Sequence, residues 1–538
     1  MTARIRLLAI LAATIVIGGV AAQQAPVPAL APTTPGDTLP GITSAPGADE
    51  VARGHYLALA ADCMPCHTGP GAKPFAGGLA LDTPFGSVLS PNITPDIATG
   101  IGGWSEAQFW GALHDGVGRR GEDLYPVMPF TSYTGMTRDD ARAIFAYLRS
   151  LEPVHAPRQP NGLAFPFSIR ATLGFWRELF FRPAAFVADP AKSTDWNRGA
   201  YLVNVLGHCG ECHTPRNIMG AVEPSRALSG AVVDGWFAPN ISGSTTAGIG
   251  GWTVDRLTAW LRTGNDTRKG SVFGPMQEVV GHSLSQLNDA DVRAIATYLT
   301  STAPQRPGVA ASPHLTGDEA RAGAALYSQN CSGCHQPQGA GIPGAIPPLA
   351  GNQAVAAAAP NNVVQAMLNG LPAASGLGAM PSFAAALDDA QMATLANYVR
   401  NTWGNTGRAE ATPALVASLR AAATVSPAGT EAARALCPAV NPMSGAVGAT
   451  SLPDGAAALM RGSDSYDLLN RTDLLLRTLR RDNPTASGGD LTDALIGAYC
   501  PAVANDPTLS ADDKRSRLAL FRSNVLAGIA ALPVAAPR

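Results

Sequence analysis

Cys63-Met64-Pro65-Cys66-His67 is one of three Cys-x-x-Cys-His segments in this chain, and together they decide the fold. The other two occupy residues 209–213 and 331–335. The pattern is typical of covalent haem c attachment, in which two thiols form thioethers to the porphyrin and the adjacent histidine ligates the iron. A redox dithiol or half of a zinc site is the alternative, but no second Cys-x-x-Cys completes a four-ligand zinc set beside any copy. We therefore predict three haem c groups.

Each haem iron needs a proximal histidine and a sixth ligand. We expect these thioether cysteines and proximal histidines: Cys63, Cys66 and His67; Cys209, Cys212 and His213; Cys331, Cys334 and His335. A distal methionine is expected in an irregular loop before the last helix of its domain, and Met128, Met276 and Met380 recur there in register. Each of these could instead be an ordinary core methionine. Met136 is a rival to Met128 in the first repeat, and His282 is a rival to Met276 in the second. The other candidate histidines are His55, His114 and His208.

Length and composition indicate several domains, and the N-terminal residues indicate export. The chain has 538 residues, a formal net charge of −2 and 14% charged residues, which argues against a nucleic-acid partner. Residues 1–22 have a basic start, an apolar run and a small-residue cleavage site, as in a secretory signal peptide. An uncleaved membrane anchor is the alternative. Residues 23–48, rich in Pro, Ala and Thr, are expected to form a flexible leader.

The chain repeats itself around the three motifs. A short helical segment with a tyrosine precedes each motif, and a second helix with an aromatic residue and an acidic start follows it. Pro91-Asn92-Ile93 recurs as Pro239-Asn240-Ile241, so the first two repeats are the closer pair. The pattern resembles the small cytochrome c fold. We predict a mainly α protein with three tandem cytochrome c-type domains, at residues 49–155, 191–305 and 316–406, plus a small helical C-terminal domain.

Two further segments are expected outside the repeats. The linker, residues 156–190, carries several Phe and Arg residues and a Trp, and suits a membrane interface, a partner surface or packing between domains. Residues 410–538 are expected to form the helical C-terminal domain. Cys437 and Cys500 are expected to form a disulfide there, with two buried free thiols as the alternative. An apolar stripe at helical spacing, more often core than membrane surface, comprises Leu518, Phe521, Val525, Ile529 and Leu532.

Several longer segments resemble the triple-haem cytochrome c subunits of bacterial membrane-bound dehydrogenases. The residues that carry the resemblance are Thr83-Pro84-Phe85-Gly86, Pro91-Asn92-Ile93-Thr94-Pro95-Asp96, Leu124-Tyr125-Pro126-Val127-Met128-Pro129, Gly207-His208-Cys209-Gly210-Glu211-Cys212-His213-Thr214-Pro215-Arg216 and Trp403-Gly404-Asn405. The resemblance covers about residues 50–405. The C-terminal segment departs from it, which leaves the partner open.

The resemblance implies an electron relay. Such a subunit takes electrons from a periplasmic dehydrogenase subunit, with alcohol as the favoured substrate, and delivers them to ubiquinone at the inner membrane. Related subunits serve molybdopterin aldehyde dehydrogenases and flavin gluconate or sorbitol dehydrogenases, so a pyrroloquinoline quinone, molybdopterin or flavin partner is implied. We expect no catalysis by this chain alone. A haem peroxidase or gas-binding sensor is the different class, and it requires an open sixth position on the iron.

Overall fold

A computed structural model describes residues 50–266, 270–305, 315–343, 345–371, 380–425, 465–486, 488–504 and 506–531. All of them fall within one compact unit, Pro40–Arg538. The expected signal peptide, the leader and Cys437 lie outside the described residues, so those expectations remain predictions.

The described chain is mainly helical, as predicted. The helices up to the end of the linker are α1 (Glu50–Ala60), α2 (Cys63–Cys66), α3 (Glu106–Trp110), α4 (Phe130–Tyr133), α5 (Arg138–Ser150) and α6 (Thr172–Phe180). The second repeat contains α7 (Thr194–Tyr201), α8 (Gly210–His213), α9 (Val254–Thr263), α10 (Pro275–His282) and α11 (Asp289–Thr300). The third repeat and the tail contain α12 (Gly317–Asn330), α13 (Ser332–His335), α14 (Asn361–Asn369), α15 (Asp389–Asn401), α16 (Pro413–Val425), α17 (Ser465–Asp482), α18 (Gly488–Ala504) and α19 (Ala511–Ala531).

Short antiparallel strands accompany the helices of the first two repeats. Strands β1 (Ala80–Thr83), β2 (Gly86–Leu89) and β3 (Gly162–Leu163) form one sheet in that order, with Ala80 opposite Leu89. The second repeat contains two hairpins: β4 (Ala231–Val233) with β5 (Trp236–Ala238), and β6 (Asn265–Asp266) with β7 (Gly270–Ser271).

The first helix of each repeat crosses the last helix at a glycine. A Cβ on Gly54 of α1 would lie 1.8 Å from the carbonyl oxygen of Ala143 on α5. A Cβ on Gly199 of α7 would lie 2.0 Å from that of Ala294 on α11. In the third repeat, a Cβ on Gly323 of α12 would lie 2.4 Å from the Cβ of Tyr398 on α15. The missing side chain lets the two helices approach closely, with backbone against backbone in the first two repeats, so these crossings depend on glycine.

Side chains that cap the last helices fix where those helices begin. Thr137 accepts from the backbone amide of Asp140 at the start of α5, and Asn288 accepts from that of Asp291 at the start of α11. Asp388 forms a full capping box with Gln391 on α15. The acidic first turns noted in the sequence therefore begin these helices, as predicted.

The first helix after residue 410 packs against the third repeat. Ala411, Val416 and Leu419 are buried in the core of the third repeat, so α16 packs there. Arg420 of α16 also pairs with Asp389 on α15, at 2.8 Å. The predicted stripe is buried at Phe521, which lies with Val525 and Ile529 in the core of the tail helices, while Leu532 lies outside the described residues. None of the described helices has the length and apolar character needed to cross a bilayer.

Replacing Gly199 with alanine tests the helix crossing. We expect Gly199→Ala to lower the free energy of unfolding by about 1–3 kcal/mol or more, because the new Cβ would overlap a backbone carbonyl that cannot rotate away. Gly281→Ala on α10 is the matched control, since a Cβ there meets nothing within 4 Å. Calorimetric melting of both variants measures the effect, and equal melting temperatures would contradict a crossing that requires glycine.

Candidate haem attachment sites

Each Cys-x-x-Cys-His segment folds as a single helical turn. The backbone amide of the histidine donates to the carbonyl of the first cysteine in all three, at 3.1 Å for His67, 2.9 Å for His213 and 2.9 Å for His335. One turn of helix brings the side chains of residues three apart onto one face. Two thiols and the following imidazole can therefore meet one porphyrin.

A backbone carbonyl orients each motif histidine. Nδ1 of His67 lies 2.8 Å from the carbonyl oxygen of Pro91, and Nδ1 of His213 lies 2.7 Å from that of Pro239. In the third repeat, Nδ1 of His335 lies 3.1 Å from the carbonyl oxygen of Pro347. A carbonyl only accepts, so Nδ1 carries the proton and Nε2 keeps the lone pair that binds a metal.

The repeated Pro-Asn-Ile segments hold these carbonyls in place. The side-chain oxygen of Asn92 accepts from the amide of Thr94, and its amide group donates to the carbonyl of Val154 beyond α5. Asn240 does the same with Ser242 and with the carbonyl of Gln305 beyond α11. The recurrence of Pro-Asn-Ile was visible in the sequence, but its role in positioning the histidine was not inferred from it.

In the third repeat, Asn405 holds the loop whose carbonyl orients the motif histidine. Its side-chain oxygen accepts from the amide of Gly351 at 2.8 Å, and its amide group donates to the carbonyls of Leu349 and Val399. It thereby ties the loop after Pro347 to helix α15. The Trp403-Gly404-Asn405 segment noted in the sequence thus supports the third histidine.

Burial determines the protonation of the motif side chains. It raises the pKa of the Cys63, Cys209 and Cys331 thiols to about 12, so each is protonated at neutral pH. It also lowers the pKa of His67 and His213, which favours the neutral imidazole. A protonated thiol is a weak nucleophile, so this environment does not favour a reactive dithiol. Two thiols beside an oriented neutral imidazole fit haem c.

The structure places the three expected distal methionines in different local settings. Met128 lies in a turn before α4, where its amide donates to the carbonyl of Tyr125 at 3.1 Å. Met276 lies in the first turn of α10, after Gly274 with a φ of +58°, and so within a helix instead of the expected loop. Met380 forms a two-way backbone bridge with Leu371 and packs against the core of the third repeat.

The rival ligands have other surroundings. Met136 is fully buried beside the start of α5. His282, the competitor of Met276, lines a pocket with His55 and with Cys63 of the first motif. Nδ1 of His114 lies 2.8 Å from an oxygen of Asp115. The ring of His208 packs edge-on against Tyr133, and burial lowers its pKa.

The aromatic linker has an inward and an outward face. Trp176 and Phe181 are buried in a cluster with Phe130 of the first repeat and Ala221 of the second, so this face packs between the repeats, one of the three roles considered for the linker. On the outward face the exposed fractions are 81% for Phe165, 65% for Phe175 and 55% for Leu179. Two of the linker arginines point inward: Arg177 pairs with Asp123, and Arg170 lies over the ring of Tyr125.

The crossed helices, the one-turn motifs and the oriented histidines define a c-type cytochrome. Two family models agree with this class. Residues 51–152 match the model described as Cytochrome c. Residues 318–399 match the model described as Cytochrome C oxidase, cbb3-type, subunit III.

Several similar proteins are named as subunits of dehydrogenases. The gluconate 2-dehydrogenase cytochrome c subunit of Pantoea cypripedii is 39% identical over 70% of this chain and 90% of its own length. The cytochrome c subunit of the quinone alcohol dehydrogenase of Gluconacetobacter polyoxogenes is 35% identical over 70% of this chain and 86% of its own. A nicotinate dehydrogenase subunit of Pseudomonas putida is 42% identical over 69% of this chain, and the match spans only 31% of that longer protein.

The chain belongs to the family of cytochrome c subunits of bacterial dehydrogenases. It is an electron-transfer subunit of a dehydrogenase complex, and its cofactor is haem c at Cys-x-x-Cys motifs. The resemblance noted in the sequence is confirmed. The relatives act with several different dehydrogenases by name, so they do not fix the substrate.

Removing the thiols of one motif tests whether each motif holds a haem. We expect the purified protein to exceed its polypeptide mass by three haems, and the Cys331→Ser/Cys334→Ser variant to exceed it by two. Ser332→Ala, inside the same turn, is the control and should keep all three. Intact-mass spectrometry under denaturing conditions measures covalent haem only. An unchanged haem mass in the double-serine variant would rule out attachment at the third motif.

Proposed function

We propose that this protein carries three covalent haems and relays electrons from a periplasmic dehydrogenase subunit to membrane ubiquinone. The observation that carries the proposal is the histidine geometry: in all three motifs a proline carbonyl accepts from Nδ1, at 2.8, 2.7 and 3.1 Å, and so directs Nε2 to a metal. The attachment residues are the six cysteines and three histidines named from the sequence. A haem held there supplies a one-electron couple, which suits a relay.

We further propose Met128, Met276 and Met380 as the distal ligands. Each precedes the last helix of its repeat, and the latter two are fixed by neighbouring backbone, Met276 by the start of α10 and Met380 by its bridge to Leu371. A thioether in the sixth position raises the reduction potential and closes the iron to small ligands. That environment favours electron transfer over the chemistry of a peroxidase or gas sensor.

The proposed organisation is three cytochrome c-type domains followed by helices of a C-terminal region. The three glycine crossings, at Gly54, Gly199 and Gly323, support one domain around each motif. The core shared by the third repeat with Val416 and Leu419 moves its end from residue 406 to about residue 425. The expected disulfide between Cys437 and Cys500 stays part of the proposal.

We propose an alcohol-oxidising enzyme as the first candidate partner, because the resemblance extends over segments shared with the quinoprotein alcohol dehydrogenase subunits. An aldehyde, gluconate or sorbitol dehydrogenase is the second. The protein is proposed to be exported and to associate with the periplasmic side of the inner membrane. The outward linker face, with Phe165, Phe175 and Leu179 exposed, is the proposed contact with that membrane.

Single methionine variants test the distal ligands. We expect Met128→Ala, Met276→Ala and Met380→Ala each to remove one methionine-to-iron charge-transfer band of the oxidised protein and to lower one haem potential markedly, with the haem still attached. Met136→Leu is the control and should keep every band. Near-infrared absorbance and potentiometric titration measure both effects. An unchanged potential in a given variant would remove that methionine, and a high-spin, carbon-monoxide-binding haem in the unmodified protein would favour the sensor or peroxidase class.

Purification of the native complex tests the partner and the membrane contact. We expect the chain to co-purify from membranes with a larger subunit that contains pyrroloquinoline quinone, and substrate oxidation in that complex to reduce ubiquinone. Molybdopterin or flavin in the large subunit would identify the second candidates.

The double variant Phe165→Ser/Phe175→Ser tests the membrane contact. It should move the complex to the soluble fraction, because these two exposed side chains belong to the face that is proposed to bind the membrane. Unaltered fractionation would discard the membrane role of the linker face.

A further inference from the structure

An arginine–aspartate pair with a buried carboxylate joins the first and last helices in each of the first two repeats. Arg53 on α1 pairs with Asp140 on α5. Arg198 on α7 pairs with Asp291 on α11 through two hydrogen bonds, both 2.7 Å. Both carboxylates are buried, and each lies in the first turn of its helix, where it also suits the helix dipole.

The two repeats exchange tyrosines at these carboxylates. Tyr201 of the second repeat donates to Oδ2 of Asp140 in the first, at 2.6 Å. Tyr56 of the first repeat donates to Oδ2 of Asp291 in the second, at 2.5 Å. The two links are equivalent by position, so the repeats are related here by a pseudo-twofold axis.

Backbone amides complete each link. The amide of Thr137 donates to the hydroxyl of Tyr201 at 3.2 Å, and that of Asn288 donates to the hydroxyl of Tyr56 at 3.3 Å. Each phenol is thus both donor and acceptor in a fixed geometry. Burial raises the pKa of Tyr201 well above its ordinary value, so this phenol keeps its proton at physiological pH.

The same helices lead into the two haem motifs, and the motifs contact each other's repeat. The hydroxyl of Tyr133, in α4, donates to the carbonyl of Ala61, two residues before Cys63, at 2.7 Å, and its ring packs on His208 beside the second motif. Thr131 and Ser132, just after Met128, donate to one oxygen of Glu211 inside the second motif, at 2.8 and 3.0 Å.

We infer that the links Tyr56–Asp291 and Tyr201–Asp140 act as a clamp that fixes the first two haem sites relative to each other for electron exchange. The four residues are positioning residues: haems held at the two motifs would exchange one electron, and the clamp itself would gain or lose neither electrons nor protons. This inference rests on the proposed haem at each of the first two motifs. A charge-assisted hydrogen bond on a buried carboxylate is short and directional, so two such links restrict both separation and rotation.

The third repeat provides the contrast. Its tyrosine before the motif, Tyr327, donates to the carbonyl of Gln336 in its own repeat, at 2.6 Å. The third repeat contacts the second through the side chain of Asn362, which bonds both the amide and the carbonyl of Phe237 in β5. The hydroxyl of Tyr327 therefore bonds within its own repeat, which makes this tyrosine a matched control for Tyr56 and Tyr201.

The test removes the phenolic hydroxyls and reads the haem–haem geometry directly. The purified holoprotein is expected to show a bisignate circular-dichroism couplet in the Soret region from the first two haems. Tyr56→Phe/Tyr201→Phe should lose most of that couplet and slow electron equilibration between the two haems after flash reduction. Tyr327→Phe should leave both unchanged. Absence of a couplet in the unmodified protein would overturn the inference.

A merely stabilising role gives a different result. If the double variant melts at a lower temperature but keeps the couplet and the equilibration rate, the clamp does not position the haems and the inference fails. Should the double variant not accumulate, the single variants Tyr56→Phe and Tyr201→Phe carry the same readouts, each with a smaller loss expected. Covalent haem mass is recorded for every sample. A haem missing from the unmodified protein would refute the proposed function, whereas a full haem complement in the variants with an unchanged couplet would refute only the clamp.

Discussion

The hydrogen bond from Nδ1 of each motif histidine to a proline carbonyl determines what that histidine can bind. It selects the tautomer that leaves Nε2 for iron, and it sets the plane in which the imidazole lies. The carbonyl acts only if its loop is fixed, and Asn92 and Asn240 fix it by bonding to the chain beyond the last helix. The histidine, the loop that supplies the carbonyl and the chain after the last helix are therefore connected by hydrogen bonds into one unit.

Those features of this unit that depend on neighbouring residues could be predicted from the sequence. The Cys-x-x-Cys-His spacing predicted haem attachment, and the acidic starts predicted a helix after each motif, where α5, α11 and α15 lie. The family resemblance predicted the class of protein that the comparisons show. These inferences succeed because neighbouring residues determine them: a helical turn needs residues four apart, and a cap needs residues three apart.

Contacts between repeats could not be predicted in this way. Tyr56 and Asp291 lie 235 residues apart, and only the packing of two repeats brings them together. The tyrosine before each motif was visible as a recurring feature, but nothing local distinguishes Tyr56, which crosses to another repeat, from Tyr327, which bonds within its own. For the same reason His282, judged from the sequence as a rival to Met276, lies instead beside Cys63 of the other repeat.

The C-terminal helices illustrate the same limit at the other end of the chain. Their sequence has no haem motif and departs from the family, which suggested a separate domain or an appendage. In the structure Ile342 and Ile346, from the loop after the third motif, lie in one buried cluster with Leu476 and Phe521, and Cys334 packs against that cluster. A cytochrome potential depends on how far its haem is shielded from water. The segment that looks least like a cytochrome thus contributes to the surroundings of the third Cys-x-x-Cys-His motif. If a haem is attached there, as proposed, these helices help to set its exposure to water and therefore its potential.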